Sequence, residues 1–178
     1  NREEQEATYE LIEDTVLPLG VEITPAPFFM LEPNTKSNVF VTGGTGFLGA
    51  FLLKELLDKS KAEICCLVRS YDRKSALRRI KENMKKYGCW NKEYKFRIIP
   101  ILGDLSKPNL GILKAEYEAL AETIDVIYHS GAMLNYVFPY EGLKKINVDG
   151  TAKVIRFASY LKTKTVHYIS STAVFESL

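Results

Sequence analysis

The run Val39-Phe40-Val41-Thr42 is apolar and β-branched, and it feeds directly into the turn Gly43-Gly44-Thr45-Gly46-Phe47-Leu48-Gly49. An apolar helical pattern follows at Phe51, Leu52, Leu53, Leu56 and Leu57. Three glycines in a loop say little by themselves. Placed between a strand and a helix, spaced Gly43-x-x-Gly46-x-x-Gly49, they form a variant of the dinucleotide fingerprint. The first glycine permits the tight bend, the second lets backbone approach a pyrophosphate, and the third lets helix pack closely on strand. Free N–H groups and the positive end of the helix dipole then face the phosphates, which brings Thr42, Thr45, Phe47 and Leu48 into the expected site with the glycines.

The rest of the chain repeats this alternation. Strands are expected at Asn38–Thr42, Glu63–Val68, Phe96–Ile101, Val126–His129 and Thr165–Ile169. Helices are expected from about Gly46 to Lys59, Arg73 to Lys86 and Glu116 to Glu122, with Tyr140 to Leu161 mostly helical. Repeated βα units imply right-handed crossovers and an α/β fold, a Rossmann-type doubly wound parallel sheet. Residues 1–37 differ: acidic at the start and punctuated by Pro18, Pro25, Pro27 and Pro33, they read as a lead-in linker. Thr8 to Leu17 has room for a short helix, and Phe28, Phe29, Met30 and Leu31 for contact with the domain surface. Residues 38–178 then form the cofactor-binding domain.

With 178 residues and 46% hydrophobic content the chain can bury a real core. A formal charge of +2 points to neither nucleic acid nor membrane as partner, and no apolar run is long enough to span a bilayer. The three cysteines lack a C-x-x-C pair and are odd in number, which argues against disulfides and zinc and for a reducing cytoplasm. His129 and His167 lie in apolar strands and read as satisfied core histidines, not metal ligands.

Residues at the strand ends select the cofactor. In this fold the tip of strand two meets the adenosine ribose, where an acid suits the 2′-hydroxyl of NAD and an arginine the 2′-phosphate of NADP. Here the strand ends Cys66-Leu67-Val68-Arg69, so NADPH is expected, with Arg69 making a bidentate contact. One of Arg73, Arg78 and Arg79 would close the clamp, Arg79 being assigned to it, unless these form a solvated helix face. Asp72 is the competing signal, being an acid within reach of a 2′-hydroxyl. After strand three, Asp104 suits the adenine amine and Leu105 its ring. After strand four, Ser130-Gly131-Ala132 is small, as backbone passing beneath the nicotinamide ribose requires.

These residues, with Tyr128-His129-Ser130-Gly131-Ala132, Asn135, Pro139-Tyr140, Asn147-Val148-Asp149-Gly150-Thr151 and Tyr168-Ile169-Ser170-Ser171, resemble the thioester reductase family. Such domains terminate nonribosomal peptide synthetases, carboxylic acid reductases and aminoadipate reductases, and belong to the extended short-chain dehydrogenases. The resemblance implies NADPH-dependent reductive release of an acyl or peptidyl thioester from the phosphopantetheine of an upstream carrier protein domain, as aldehyde or alcohol. It adds Asn147 to the cofactor site. It also implies catalysis by a Ser/Thr hydroxyl, a tyrosine and a lysine. By position at the end of strand five, Ser171 matches the hydroxyl, with Thr172 the alternative one residue on.

The family's Tyr-x-x-x-Lys belongs on the helix after strand five, beyond Leu178. The chain is therefore expected to be the cofactor-binding portion, without the proton-transfer pair and the small C-terminal substrate domain. Tyr140…Lys144 and Tyr160…Lys164 match the spacing but precede Ser171. Two other readings stay open: a nucleotide-sugar epimerase or dehydratase on the same sheet, and a non-catalytic NADP-binding module.

Overall fold

The computed structural model describes residues 11–16, 21 and 32–172. Five strands form one parallel sheet: β1 (Asn38–Thr42), β2 (Glu63–Val68), β3 (Ile98–Leu102), β4 (Val126–His129) and β5 (Thr165–Tyr168). Their order is β3-β2-β1-β4-β5, so the chain winds outward from β1 in one direction and then restarts beside β1 in the other. This is a Rossmann-type α/β sheet, and the switch between β1 and β4 opens a crevice at the strand carboxyl ends. Helices α1 (Phe47–Lys59), α2 (Arg73–Lys86), α3 (Lys114–Thr123), α4 (Tyr140–Asn147) and α5 (Asp149–Ser159) connect the strands.

Strand alternation divides the core into two. Val39 and Val41 of β1 join Ile64, Cys66 and Val68 of β2 beneath α1 and α2, meeting Ala50, Leu53 and Leu57 of one helix and Ala76, Ile80 and Met84 of the other. Phe40, Cys65 and Leu67 point the opposite way, onto Tyr117, Leu120 and Ala121 of α3 and Val154 and Phe157 of α5. Phe40 and Phe157 are fully buried with ring centroids 5.1 Å apart, each side chain contributing about 1.5–3 kcal/mol by burial. Both faces of the sheet are covered, which is why β1 and β2 read as continuous apolar runs.

Two expectations need correction, and a third, the mostly helical stretch from Tyr140, gains detail. Strand three starts at Ile98, not Phe96, because Lys92–Phe96 is a 3-10 turn capped by Asn91, whose side chain accepts from Glu93 N at 3.0 Å. That turn sends the Tyr94 hydroxyl to Asp58, while Arg97 donates to the carbonyls of Leu57, Ser60 and Ala62 and so closes the end of α1. The stretch from Tyr140 breaks into two helices at Val148. His167 is exposed, not a core residue: β5 pairs with β4 alone among the described residues, and the His167 ring stacks on Tyr128 at 4.6 Å. His129 is buried with both ring nitrogens hydrogen-bonded, as expected for a core histidine.

The three cysteines are free and buried. Burial pushes the Cys66 thiol up to about 12. In the lead-in, the described residues include a single helical turn at 11–13; Phe28, Phe29, Met30 and Leu31 lie outside them. No helix among the described residues is long and apolar enough to cross a membrane, and no cluster there has metal-ligand geometry.

Candidate functional site

The turn after β1 is built by its glycines. Gly43 takes φ +78°, a left-handed conformation that L side chains rarely adopt, and its carbonyl accepts from Gly46 N at 2.9 Å. A Cβ on Gly43 would lie 2.6 Å from the backbone of Ser130, and one on Gly49 would lie 2.1 Å from Gly43 O. These two glycines permit strand–strand and strand–helix approach. Gly44 does the same against Cys66 Sγ, where a Cβ would lie at 2.4 Å. Gly46 is different. A Cβ there would meet Gly43 O alone, at 3.3 Å, and the residue opens onto a cavity of about 360 Å³.

That cavity runs across the carboxyl ends of the strands. Thr42, Gly43, Thr45 and Gly46 line it after β1, Arg69 and Arg79 on the β2 side, Asp104 and Leu105 after β3, and Ser130, Gly131 and Ala132 after β4 on the other side. All of these positions are ones the sequence motifs single out. Phe47 and Leu48 do not line it with their side chains: Phe47 packs on Phe51 and Tyr87 at 5.3 and 5.1 Å. What they offer is backbone N–H groups in the first turn of α1, which have no intrahelical acceptor. Gly49 is buried behind the turn.

Asn147 is likewise outside the cavity, and Ile146 lines it instead. The Asn147 carboxamide is committed to Met133, accepting from its N at 2.7 Å and donating to its O at 3.0 Å. Ser171 and Thr172 are exposed just past β5 and are not among the lining residues.

Electrostatics separate the two ends. Arg79 donates to the carbonyl of Arg69. Arg73 instead pairs with Glu116 at 2.7 Å, away from the cavity, and Arg78 does not line it. Asp72 caps α2 by accepting from Ser75 N at 2.6 Å and is not among the residues that line the cavity. Burial raises the Asp104 carboxyl, but the Ser106 N–H and hydroxyl and the nearby Arg69 charge outweigh it and hold the group below its usual value.

Sequence reasoning missed four lining or supporting residues. Leu67, Met133 and Ile146 complete the wall. Asn83 donates from α2 to Gly46 O at 2.8 Å and Gly44 O at 3.4 Å, pinning the glycine turn. Its signal was available: a carboxamide three residues after Ile80, on the buried stripe of an otherwise basic helix.

The two Tyr-x-x-x-Lys matches have other employment. Asp14 of the lead-in accepts from the Tyr140 hydroxyl at 2.6 Å and pairs with Lys144 at 2.8 Å. Lys144 and then Tyr140 hold its carboxyl below the usual range. Lys164 is buried and donates to Phe157 O at 3.2 Å, Tyr160 O at 3.0 Å and Lys162 O, closing α5.

Known proteins resemble this chain in sequence and fold. The family model described as male sterility protein, an NAD-binding family, matches residues 41–178. A linear gramicidin synthase of Brevibacillus parabrevis is 46% identical over 146 residues, 82% of this chain and 3% of that protein. The solved terminal R domain of the myxalamid PKS-NRPS biosynthetic pathway is 39% identical with a TM-score of 0.85, covering 94% of this chain and 43% of that one. A solved thiolation-reductase di-domain from an archaeal non-ribosomal peptide synthetase is 28% identical with a TM-score of 0.66, covering 82% of this chain and 30% of that one. The chain thus spans less than half of each of these relatives. The glycine turn and the family match agree on a nicotinamide dinucleotide as cofactor, and this chain belongs to the male sterility protein family of NAD-binding domains.

Proposed function

We propose that this chain is the cofactor-binding part of an NADPH-dependent reductase that releases a carrier-bound acyl or peptidyl thioester as an aldehyde or alcohol. The observation that carries the cofactor choice is the pair Arg69 and Arg79 at one end of the cavity, with Asp72 capping α2 outside its lining. A guanidinium fork there rewards a 2′-phosphate and gains nothing from a 2′-hydroxyl. The thioester assignment is supported by the likeness to the synthetase and di-domain relatives. An upstream carrier domain is the partner it entails.

When bound, the dinucleotide supplies hydride. The chain's own residues do the rest. Gly43, Gly46 and the first-turn N–H groups of α1 take the pyrophosphate charge. Gly131 and Ala132 keep the nicotinamide end narrow enough for close approach. Ser171 Oγ, or Thr172 Oγ1 in its place, donates to the substrate carbonyl from the end of β5, stabilising charge as it develops on that oxygen. Site residues of this kind account for binding and polarisation.

The test is single-turnover oxidation of NADPH by the full-length protein, followed optically, with an acylated carrier or an acyl-pantetheine mimic. NADPH oxidation at least about tenfold faster than NADH at equal concentration, with aldehyde or alcohol formed, is the expected result. Oxidation or turnover with a nucleotide sugar and none with the thioester would replace this reading with the epimerase or dehydratase alternative.

A further inference from the structure

Thr42 and His129, both buried, and the half-buried Thr151 form a row in which every proton can be assigned. Gly131 N donates to Thr42 Oγ1 at 3.0 Å, and Thr42 Oγ1 lies 2.6 Å from His129 Nδ1. On the far side of the ring, His129 Nε2 lies 3.1 Å from Thr151 Oγ1. The single hydroxyl proton of Thr151 is spent on Asn147 O at 2.5 Å, so Thr151 Oγ1 accepts from the ring and Nε2 carries its proton. Burial holds the ring neutral, which leaves Nδ1 bare to accept from Thr42.

This row spans two clamps on one loop. Residues 130–133 are fixed at Gly131 by the Thr42 hydroxyl and at Met133 by the Asn147 carboxamide, and His129 bridges Thr42 to Thr151, which is itself bonded to Asn147. Gly131, Ala132 and Met133 line the end of the cavity opposite Arg69 and Arg79. The sheet order puts β4, which carries His129, on one side of β1, and β2, which leads into Arg69, on the other.

We propose that His129 is a positioning residue for the nicotinamide half of the cofactor, setting loop 130–133 against the glycine turn. The inference rests on reading the cavity as a dinucleotide site. It makes a division that a general stabilising role would not: one half of the cofactor depends on His129 and the other does not.

The experiment titrates the full-length protein with NADPH and, separately, with 2′,5′-ADP, which carries the adenosine half alone. His129→Phe keeps a ring of similar size and removes both hydrogen bonds. It is expected to weaken NADPH by about tenfold, leave 2′,5′-ADP within about twofold, and diminish the fluorescence change of the bound nicotinamide. His129→Gln offers an acceptor oxygen and a donor nitrogen and is expected to restore most of the loss. Thr151→Val breaks the row from its far end with little change in shape, and carries the test should His129→Phe not fold. Equal loss of both ligands, or no loss of either, in a folded variant would overturn the inference. A wild-type protein that binds neither ligand would overturn the dinucleotide reading itself, a result distinct from any variant's behaviour.

Discussion

Arg79 reaches from α2 to the tip of β2 and donates a guanidinium hydrogen bond to the backbone carbonyl of Arg69. The contact fixes the strand end from which the Arg69 side chain departs, and both residues line the same end of the cavity. A phosphate placed there meets a second cation already held in register.

Arg69→Ala is therefore expected to weaken NADPH by about tenfold or more and to leave NADH nearly unchanged, since charge-assisted contacts contribute roughly 1.5–3 kcal/mol. Arg79→Ala should lose part of the same energy through the freed strand tip, so the double variant falls short of the sum. Calorimetric titration with both cofactors checks this. Parallel losses for NADPH and NADH would remove the 2′-phosphate role.

Gly46 and Gly49 should separate binding from folding. Gly46 has φ −96° and ψ 177°, which any residue adopts, and its Cβ direction is open toward the cavity. Gly46→Val should keep the far-ultraviolet circular dichroism of the wild type and lose NADPH binding. Gly49→Val should fail at the earlier step, because its Cβ would lie 2.1 Å from Gly43 O and the helix would have to leave the strand.

Ser171→Ala in the full-length protein should cut thioester turnover by about two to three orders of magnitude with NADPH affinity preserved, as loss of one donor to a developing oxyanion does. Steady-state kcat beside a binding titration is the measurement. Unchanged turnover would transfer the role to Thr172 or away from the end of β5. Tyr140→Phe should leave the chemical step intact, its hydroxyl being engaged by Asp14.

Acid should reveal the protonation state of His129. Burial lowers its pKa from 6.5 to about 4, so between those values the unfolded chain binds a proton that the folded chain refuses. Stability from this group is full above pH 6.5 and is lost as pH falls toward 4, by an amount on the order of 3 kcal/mol. Urea melts at several pH values should show the advantage of wild type over His129→Gln shrinking across that window. A constant difference would mean that the ring is not held neutral.

Much of this was legible because parallel strands covered on both faces must be apolar throughout. β1, β2, α2 and β4 have the bounds their residue patterns imply. Two of the misses come from a contact made away from the residue's own element. Phe96 looks apolar enough to open a strand, but the Tyr94 hydroxyl finds Asp58, 36 residues away, and the backbone turns to meet it. Asn147 looks like a ligand residue and is consumed by Met133, 14 residues earlier. Asp72 could not be read as ribose ligand or helix cap until Ser75 N was seen to occupy it. For the cavity, motif positions predicted which backbone comes close, while the wall-forming Ile146 and Met133 depended on how α4 folds back.

Cys66 sits where the glycine turn presses hardest, its sulfur occupying the space that a Gly44 side chain would need. A thiol that is fully buried and ionises only near pH 12 is silent toward alkylating reagents while the sheet is closed. Its modification rate consequently counts openings of β2 away from the turn, and a ligand seated on that turn slows the count in proportion to its occupancy. The protein thus carries a chemical clock behind its glycine turn, readable by mass without adding a label to the fold.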